Sequence, residues 1–396
     1  MSDVAVSSRL SYSAIGAGTV AAFVGFGSSF PVVVQGLTAV GASNAEAASG
    51  LMAMSILMGL AAILLSWRSR QPVSVAWSTP GAALLISTGA VAGGFSAAVG
   101  AFLITGLLIV VAALVRPFRD LVAAIPSSIA NAMLAGIILE LCLAPVQAIG
   151  VIPQFALPVI VVWAVMLRVA RLYAMPVAVV VTAAIIMTTT ELPVATVGEL
   201  LPAPVLIAPS FTWGAVVSLA IPLFVVTMAS QNVPGIAVLQ AYGYRTRVRE
   251  SFLVTGVGTM IGAPFGGQAI NYAAITAAIC AGPDADPDPA RRWVAAFAAG
   301  VLYVGFGFAA TFATVLIAAS PPLLIQAVAG LALMGALGNA LLGAMREIGD
   351  RDAAIVTFVV SASGLSFFGI GAAFWGLVAG GAMLALSRWR QEKTDD

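Results

Sequence analysis

The basic residues of this chain are few and clustered, and their spacing constrains the fold more than any other feature. After Arg9 they fall into seven groups: Arg68 and Arg70; Arg116 and Arg119; Arg168 and Arg171; Arg245, Arg247 and Arg249; Arg291 and Arg292; Arg346 and Arg351; Arg388, Arg390 and Lys393. Each interval holds two apolar stretches joined by a connection without Lys or Arg. Two crossings per interval predict fourteen membrane spans. The positive-inside rule places every basic group and both termini in the cytoplasm.

The composition supports this prediction, because 61% of the residues are hydrophobic and only 8% are charged. Such a chain is typical of a multi-pass helical protein of an inner (cytoplasmic) membrane. It contains no histidine, and Cys142 and Cys280 lie in apolar runs without CxxC spacing, so we expect packing cysteines and no metal site. The N-terminal residues lack the pattern of a cleaved signal peptide, which favours insertion by internal signals.

Two of the fourteen spans cannot be regular helices. In Pro264 to Gly282 (PFGGQAINYAAITAAICAG), only Tyr272 to Cys280 is uninterrupted helix, and it covers roughly 14 Å of a ~30 Å hydrocarbon core. We therefore expect Gly266 to Asn271 to be extended. In the third span Pro72 to Thr79 is predicted to be extended, and Pro80 to begin a short helix. Backbone of this kind survives in a bilayer only when it is buried in protein or lines a polar cavity.

The broken spans are the third and the tenth, which indicates two repeats of seven spans each, 1–190 and 210–390. Weak echoes support this reading: Ser28 to Pro31 resembles Gln231 to Pro234, and Trp77 and Asn271 each precede a half-helix. An odd number of spans inverts the second repeat relative to the first. The two half-helices would then face each other with their N-termini near the middle of the membrane.

Three polar segments converge in this arrangement and form the predicted substrate site. They contribute Trp77, Ser78 and Thr79 from span 3, Ser230, Gln231 and Asn232 from span 8, and Gly267, Gln268, Asn271 and Tyr272 from span 10, with Ser28, Ser29 and Phe30 of span 1 as additions. Hydrogen bonding to the broken backbone is the alternative role for the amide side chains, and helix packing for the serines of span 1. Trp77 either stacks on a substrate or packs between helices.

The predicted site has no charge of its own. Helix N-termini and amide donors suit a small anion, and an aromatic wall of Trp77, Tyr272 and Phe30 suits a flat apolar body, so an aromatic carboxylate fits both. Glu140 is the one acidic residue within an apolar span, and it either carries a proton or snorkels towards the outer end of span 5. The aspartates in GPDADPDP, at 284, 286 and 288, are expected in a solvated loop without calcium.

Three segments resemble the benzoate/proton symporter family: PVSVAWSTPGAALL at 72–85, TMASQNVPG at 227–235 and FGGQAINYAAITAAICAG at 265–282. The resemblance covers essentially the whole chain. It implies a core domain of spans 1 to 4 and 8 to 11, a gate domain of spans 5 to 7 and 12 to 14, and uptake of benzoate or a related aromatic acid with a proton. Nucleobase carriers of similar architecture place glutamates in spans 8 and 10. The corresponding positions here, Ser230 or Gln231 and Gln268, are neutral, which favours an anion.

Other functions are weighed against this one. A nucleobase or inorganic-anion carrier of the same fold is the alternative transporter, and a channel is the alternative from another class. An enzyme is disfavoured because the spans contain no histidine, no paired carboxylates and no activated nucleophile. No cofactor is expected, and no GxxxxGK[ST] loop for a nucleotide occurs. The predicted partners are the aromatic acid, a proton and the bilayer, with a homo-oligomer as an open possibility.

Overall fold

The computed structural model describes residues 11–117, 126–189, 202–365, 367–368 and 370–395. Its first half has seven apolar segments in chain order. Span 1 is Tyr12–Ala39, span 2 is Asn44–Ser69, span 3 is strand β1 (Val75–Trp77) followed by the helix Thr79–Thr88, span 4 is Gly94–Leu114, span 5 is Ser127–Val151, span 6 is Pro153–Val169 and span 7 is Arg171–Thr189.

The second half repeats this order. Span 8 is Trp213–Ala241, span 9 is Val248–Gly262, span 10 is strand β2 (Ile270–Tyr272) followed by the helix Ala274–Ala281, span 11 is Trp293–Gly307 with a bent continuation Ala310–Ala318, span 12 is Pro322–Ala344, span 13 is Arg351–Ala362 and span 14 is Ala372–Asp395. Within the described residues, seven helices are long and apolar enough to cross a membrane, or eight with the bent pair. Shorter helices and the two strand-helix segments complete the fourteen, so the predicted fold class is confirmed.

The ends of these segments carry the local signals that the sequence contains. Ser43 caps span 2, and its backbone N–H bonds the Glu46 carboxylate in a reciprocal capping box. Pro80 lies in the first turn of the half-helix of span 3, where its missing N–H has no cost. Gly266 turns the chain before β2 with a φ of +86°, a left-handed conformation that favours glycine.

The half-helix of span 10 is shorter than predicted. Tyr272 lies in β2, and the helix begins at Ala274. Ala263–Phe265 is a turn of 3₁₀ helix and Gly266 is left-handed, so the extended part begins after Gly266 and continues past the predicted Asn271 to Ala273. The strand pairing described below explains this difference, because it holds residues up to Ala273 in extended conformation.

The described basic groups all lie at the ends of spans or in the connections between them, as the spacing predicts. Arg68 ends span 2, Arg116 follows span 4, and Arg168 and Arg171 flank the junction of spans 6 and 7. Arg9 and Arg119 lie outside the described residues, as does part of the predicted loop from Glu191 to Pro209. The side of the membrane on which these groups lie stays a prediction.

The helices pack in recurring pairs. Span 2 packs on span 11, span 4 on span 9, and span 1 on spans 3 and 11, whereas span 5 packs along spans 12 and 13 and span 6 on span 7. Small residues permit the closest approaches: a Cβ added at Gly136 of span 5 would lie 2.7 Å from the carbonyl oxygen of Phe358 in span 13. Spans 1, 3, 8 and 10 thereby come to face spans 5, 6, 7 and 12 across a cavity.

Candidate functional site

The two broken spans meet as a short antiparallel ladder. Val75 pairs with Tyr272, Ala76 with Asn271 and Trp77 with Ile270. Two further bonds extend it, from Ser78 N to Ala269 O at 2.9 Å and from Ala273 N to Ser74 O at 3.0 Å. The extended residues thus satisfy each other's backbone groups, which a membrane interior requires. The half-helices leave the ladder in opposite directions, each with its N-terminus at the break.

Several predicted site residues turn out to support this ladder. Gln268 is 1% exposed, its Nε2 donates to Ser78 O at 2.9 Å, and its Oε1 accepts from Ala269 N at 3.0 Å. Asn271, oriented to suit its neighbours, accepts from Ser78 N at 3.0 Å and donates to Tyr272 O at 2.6 Å. From span 8, Asn232 Oδ1 accepts from Tyr272 N at 3.0 Å. The polar atoms of these three amide side chains therefore form hydrogen bonds within the protein.

Of the aromatic wall predicted from Trp77, Tyr272 and Phe30, one member lines the cavity in this structure. Tyr272 is buried behind the ladder and donates its hydroxyl to Ser251 Oγ at 2.6 Å. Phe30 is buried against Phe26, with ring centroids 5.5 Å apart. Only Trp77 reaches the cavity wall, and its Nε1 donates to Ser29 Oγ at 2.8 Å.

A cavity of about 880 Å³ lies beside the break. Of the predicted site residues, its lining includes Ser28, Ser29, Trp77, Thr79, Ser230 and Gln231. Ser78, Asn232, Gly267, Gln268, Asn271, Tyr272 and Phe30 are not among the lining residues. In this structure these seven lie in the layer behind the wall, where the broken backbone requires buried partners, and contact with a substrate stays a prediction for them.

Span 8 supplies the polar residues that remain available. It contains two π-helical segments, Val216–Ala220 and Met228–Asn232, and the second carries Ser230 and Gln231. The Ser230 hydroxyl is buried and has no hydrogen-bond partner among the described residues. A π-turn inserts an extra residue into a helix and is frequent at functional sites. In this π-helical segment Ser230 and Gln231 line the cavity, whereas Asn232 accepts a hydrogen bond from Tyr272 of β2.

The two half-helix N-termini differ in a way that the sequence did not predict. Ser78 caps the helix of span 3 by accepting from Gly81 N at 3.1 Å, and Thr227 Oγ1 donates to Ser78 Oγ at 3.1 Å. The helix of span 10 begins after Ala273 and has no side-chain cap. Ala273, Ile275 and Thr276 all line the cavity. The first-turn amides of span 10 are therefore the donors left without a side-chain cap.

The opposite wall holds polar residues that sequence reasoning missed. Asn131 of span 5 and Asn339 of span 12 line the cavity, and so does Arg171, the one charged residue among the lining residues. Asparagines within apolar runs such as SSIANAMLAG were the available signal, since polar side chains in a membrane are costly and are often functional.

Glu140 is separate from this site. It lies near the middle of span 5, is exposed, and is not among the cavity-lining residues. Whether it carries a proton or snorkels towards the outer end of the span stays a prediction.

The loop after span 10 is more ordered than expected. Arg292 is 7% exposed and donates to the carbonyl oxygens of Ala281 at 2.9 Å, Asp286 at 2.7 Å and Pro287 at 3.4 Å. The Ser11 hydroxyl donates to the Asp286 carboxylate and lowers the pKa of that group, and the Asp288 N–H acts in the same direction. The predicted solvated loop is thus wrong for Asp286.

Within the described residues no cluster of acidic or cysteine side chains could hold a metal, and both cysteines are buried and free.

The chain is similar over most of its length to membrane proteins that are already known. The family model described as "Benzoate membrane transport protein" matches residues 8–386. "Inner membrane protein YdcO" of Escherichia coli (strain K12) is 40% identical over 367 residues, covering 92% of this chain and 93% of that protein. The "Benzoate membrane transport protein" of Acinetobacter baylyi is 30% identical over 370 residues, covering 93% and 94%.

A solved structure shares the fold. The transmembrane domain of a cyanobacterium bicarbonate transporter, BicA, superposes with a TM-score of 0.63 at 16% identity, covering 93% of this chain and 97% of that one. Carriers of this type have two inverted repeats of seven spans, which agrees with the order of spans found here. The match of the family model over nearly the full length, together with the relatives at 40% and 30% identity, shows that the chain belongs to the benzoate membrane transport protein family.

Proposed function

We propose that this membrane transporter imports benzoate or a related aromatic carboxylate with a proton, across a bacterial inner membrane. The observation that carries the proposal is that an uncapped half-helix N-terminus and the unpartnered hydroxyl of Ser230 lie on one cavity whose described lining holds no acidic residue. Membership of the family, and the names of the E. coli and A. baylyi relatives, support the substrate class and the membrane.

The carboxylate is best placed at the start of the span 10 half-helix. A helix N-terminus carries roughly +0.5 of an elementary charge, and its first N–H groups have no partner within the helix. The half-helix of span 3 has fewer free N–H groups in its first turn, because Ser78 accepts from one of them and Pro80 has none. Ser230 and Gln231 add donors from span 8. Among the described residues no acidic side chain lines the cavity to repel the anion.

The ring of the substrate has an apolar surface on both sides of the cavity. Trp77 and Ile275 line it beside the half-helices, and Leu134 and Leu331 line it on the side of spans 5 and 12. A flat ring between these surfaces would exclude water from the carboxylate end, which strengthens its hydrogen bonds. Trp77 is held in place through Ser29, so we assign it to the wall of the ring site.

Transport would proceed by movement of spans 1 to 4 and 8 to 11, the core domain, against spans 5 to 7 and 12 to 14, the gate domain. The packing of spans 2 on 11 and 4 on 9, and of span 5 on 12 and 13, supports this division, and the cavity lies between the two groups. The cavity reaches Arg171, at the junction of spans 6 and 7. If the basic connections and both termini are cytoplasmic, the structure is open to the cytoplasm.

Coupling to a proton is proposed on energetic grounds. An inside-negative potential opposes entry of a monoanion by about 2.3 kcal/mol per 100 mV, so accumulation needs a co-transported cation. Glu140 remains the candidate carrier within the spans, at a distance from the cavity that requires a separate proton route.

Replacing Ser230 with alanine should weaken substrate binding without destabilising the protein. The hydroxyl has no partner in the empty cavity, so its removal relieves a buried unsatisfied group, whereas the bound carboxylate loses one donor. We expect a rise in Kd of roughly 5- to 20-fold, as for a hydrogen bond to a charged group, and an unchanged or higher melting temperature. Equilibrium binding and thermal melts of the purified protein measure both. Unchanged affinity would remove Ser230 from the site.

Uptake of radiolabelled benzoate into proteoliposomes tests the function as a whole. We expect accumulation driven by an inward proton gradient, abolished by a protonophore, and blocked by unlabelled salicylate but not by uracil or sulfate. Block by uracil or sulfate with no effect of salicylate would instead indicate a nucleobase or inorganic-anion carrier. Rapid uptake that never exceeds equilibrium would indicate a channel.

A further inference from the structure

The cavity has a second end that the proposed substrate site does not use. Trp163, Leu167 and Arg171 all line it, at intervals of four residues. Trp163 and Leu167 lie on span 6, and Arg171 opens the 3₁₀ turn that follows. Trp163 and Leu167 are four residues apart and lie on one face of span 6, and Arg171 joins them in the cavity lining from just beyond the end of that helix at Val169. We call these three residues the span 6 stripe.

The chemistry of the span 6 stripe matches that of the proposed substrate. It presents an indole ring, an aliphatic side chain and a guanidinium, in that order along the chain. Arg171 is exposed and is the one charged residue among the lining residues. A guanidinium binds a carboxylate with two parallel hydrogen bonds, and an indole packs on an aromatic ring.

The cavity also has room for a ligand at each end. Its volume of about 880 Å³ lies near the upper end of the range that holds a drug-sized molecule, which is much larger than a single-ring acid. Much of the remaining lining is apolar and includes Leu172, Met175 and Ala336. Arg171 lies at the junction of spans 6 and 7, whereas the half-helix of span 10 begins at the break within its span, so the two anion-favouring groups lie at different depths and describe two sites.

We propose that the span 6 stripe is a second, weaker site for an aromatic carboxylate, with the ring on Trp163 and Leu167 and the carboxylate on Arg171. This inference rests on the proposed function, because it assumes the same class of ligand. The second site receives the substrate as it leaves the half-helices. It also binds aromatic acid that enters from the side of Arg171, so that acid accumulated on that side slows further release.

Arg168 provides a matched control. It lies on span 6 three residues before Arg171, is exposed, and is not among the cavity-lining residues. Arg168→Gln and Arg171→Gln remove the same charge from the same connection. Both variants should therefore show any effect on membrane orientation or on the electrostatics of this face. An effect that only Arg171→Gln shows indicates a direct role in the cavity.

The experiment is equilibrium binding of radiolabelled benzoate to the purified full-length protein, over a concentration range wide enough to resolve two affinities. We expect two classes of site in the wild type and in Arg168→Gln. In Arg171→Gln and Trp163→Ala the weaker class should lose at least about tenfold in affinity while the tighter class changes less than about twofold. In Ser230→Ala the tighter class should weaken and the other should remain.

The outcomes separate this inference from the proposed function. A single class of site in the wild type, or two classes that Arg171→Gln and Arg168→Gln leave equally unchanged, overturns the second site and leaves the proposed function standing. Absence of any benzoate binding to the wild type overturns the proposed function itself. A matching loss in Arg171→Gln and Arg168→Gln would assign the effect to surface charge, and this also overturns the second site.

Discussion

Glutamate in place of Gln268 should strongly destabilise the fold at neutral pH, whereas glutamate in place of Gln231 should weaken only substrate binding. The two glutamines are both near the broken spans, and the sequence gives no reason to treat them differently. In the structure Gln268 Nε2 donates to Ser78 O at 2.9 Å in a site that is 1% exposed. Gln231 is half-buried and lines the cavity.

The reason for the contrast is the hydrogen that Gln268 supplies. A carboxylate at this position would put an acceptor against the Ser78 carbonyl, where no water can separate them. Each unsatisfied buried group costs about 1–3 kcal/mol, and an unpaired charge costs more. At position 231 the carboxylate stays solvated in the cavity, but it repels an anionic substrate by several kcal/mol.

Thermal melts and benzoate binding of the purified variants test this pair. We expect Gln268→Glu to lower the melting temperature by more than about 5 °C, or to prevent recovery of folded protein, with partial recovery at low pH where the protonated acid donates to Ser78 O. Gln231→Glu should melt like the wild type and lose at least about tenfold in affinity. A Gln268→Glu protein that is stable but cannot bind benzoate would instead place Gln268 in the substrate site.

The contrast also shows how far the sequence predicts this site. The breaks in spans 3 and 10 were predictable, because glycine, proline and polar residues interrupt apolar runs that a membrane would otherwise require to be helical. Which polar residues line the cavity was not predictable. In a three-residue strand that choice depends on the pairing register, and a shift of one residue exchanges the two faces.

Two further features of the site could not be predicted from the sequence, for related reasons. The π-helical turn at Met228–Asn232 changes which side chains of span 8 share a face, and no hydrophobic period reveals it because the segment is polar. Asn131, Asn339 and Arg171 join the cavity only because spans 5, 6, 7 and 12 pack opposite the half-helices. Contacts of this kind depend on tertiary packing between segments that are distant in sequence.

The second large effect is expected at Arg292, which holds the other end of the span 10 half-helix. That helix has eight residues, fewer than an isolated helix needs for stability in water, so its position depends on what holds its ends. At the N-terminal end the β1–β2 ladder holds it, together with the Thr276 hydroxyl, 2.7 Å from that of Ser74. At the C-terminal end the Arg292 guanidinium bonds Ala281 O and two carbonyls of the following loop.

Arg292→Ala should therefore lower both the stability of the protein and its affinity for substrate. It removes three hydrogen bonds to a charged group and a cation at a helix C-terminus, a loss on the order of 3 kcal/mol or more. We expect a melting temperature lower by more than about 5 °C, and a benzoate Kd raised at least about fivefold, because the N-terminal amides of the same helix would no longer be held in place.

Two variants make the role of Arg292 specific. Arg292→Lys keeps the charge but can bond fewer carbonyls, so it should restore part of both losses. Arg291→Ala removes the same charge from the neighbouring position, where the side chain is 38% exposed and lies 3.5 Å from the Asp288 carboxylate, so a smaller loss than in Arg292→Ala would assign the effect to the buried hydrogen bonds of Arg292 rather than to its charge. If Arg292→Ala lost stability but kept wild-type affinity, the loop would stabilise the fold without positioning the half-helix. Loss of both, with partial rescue by lysine, would mean that the substrate site depends on a contact at the far end of the helix that forms it.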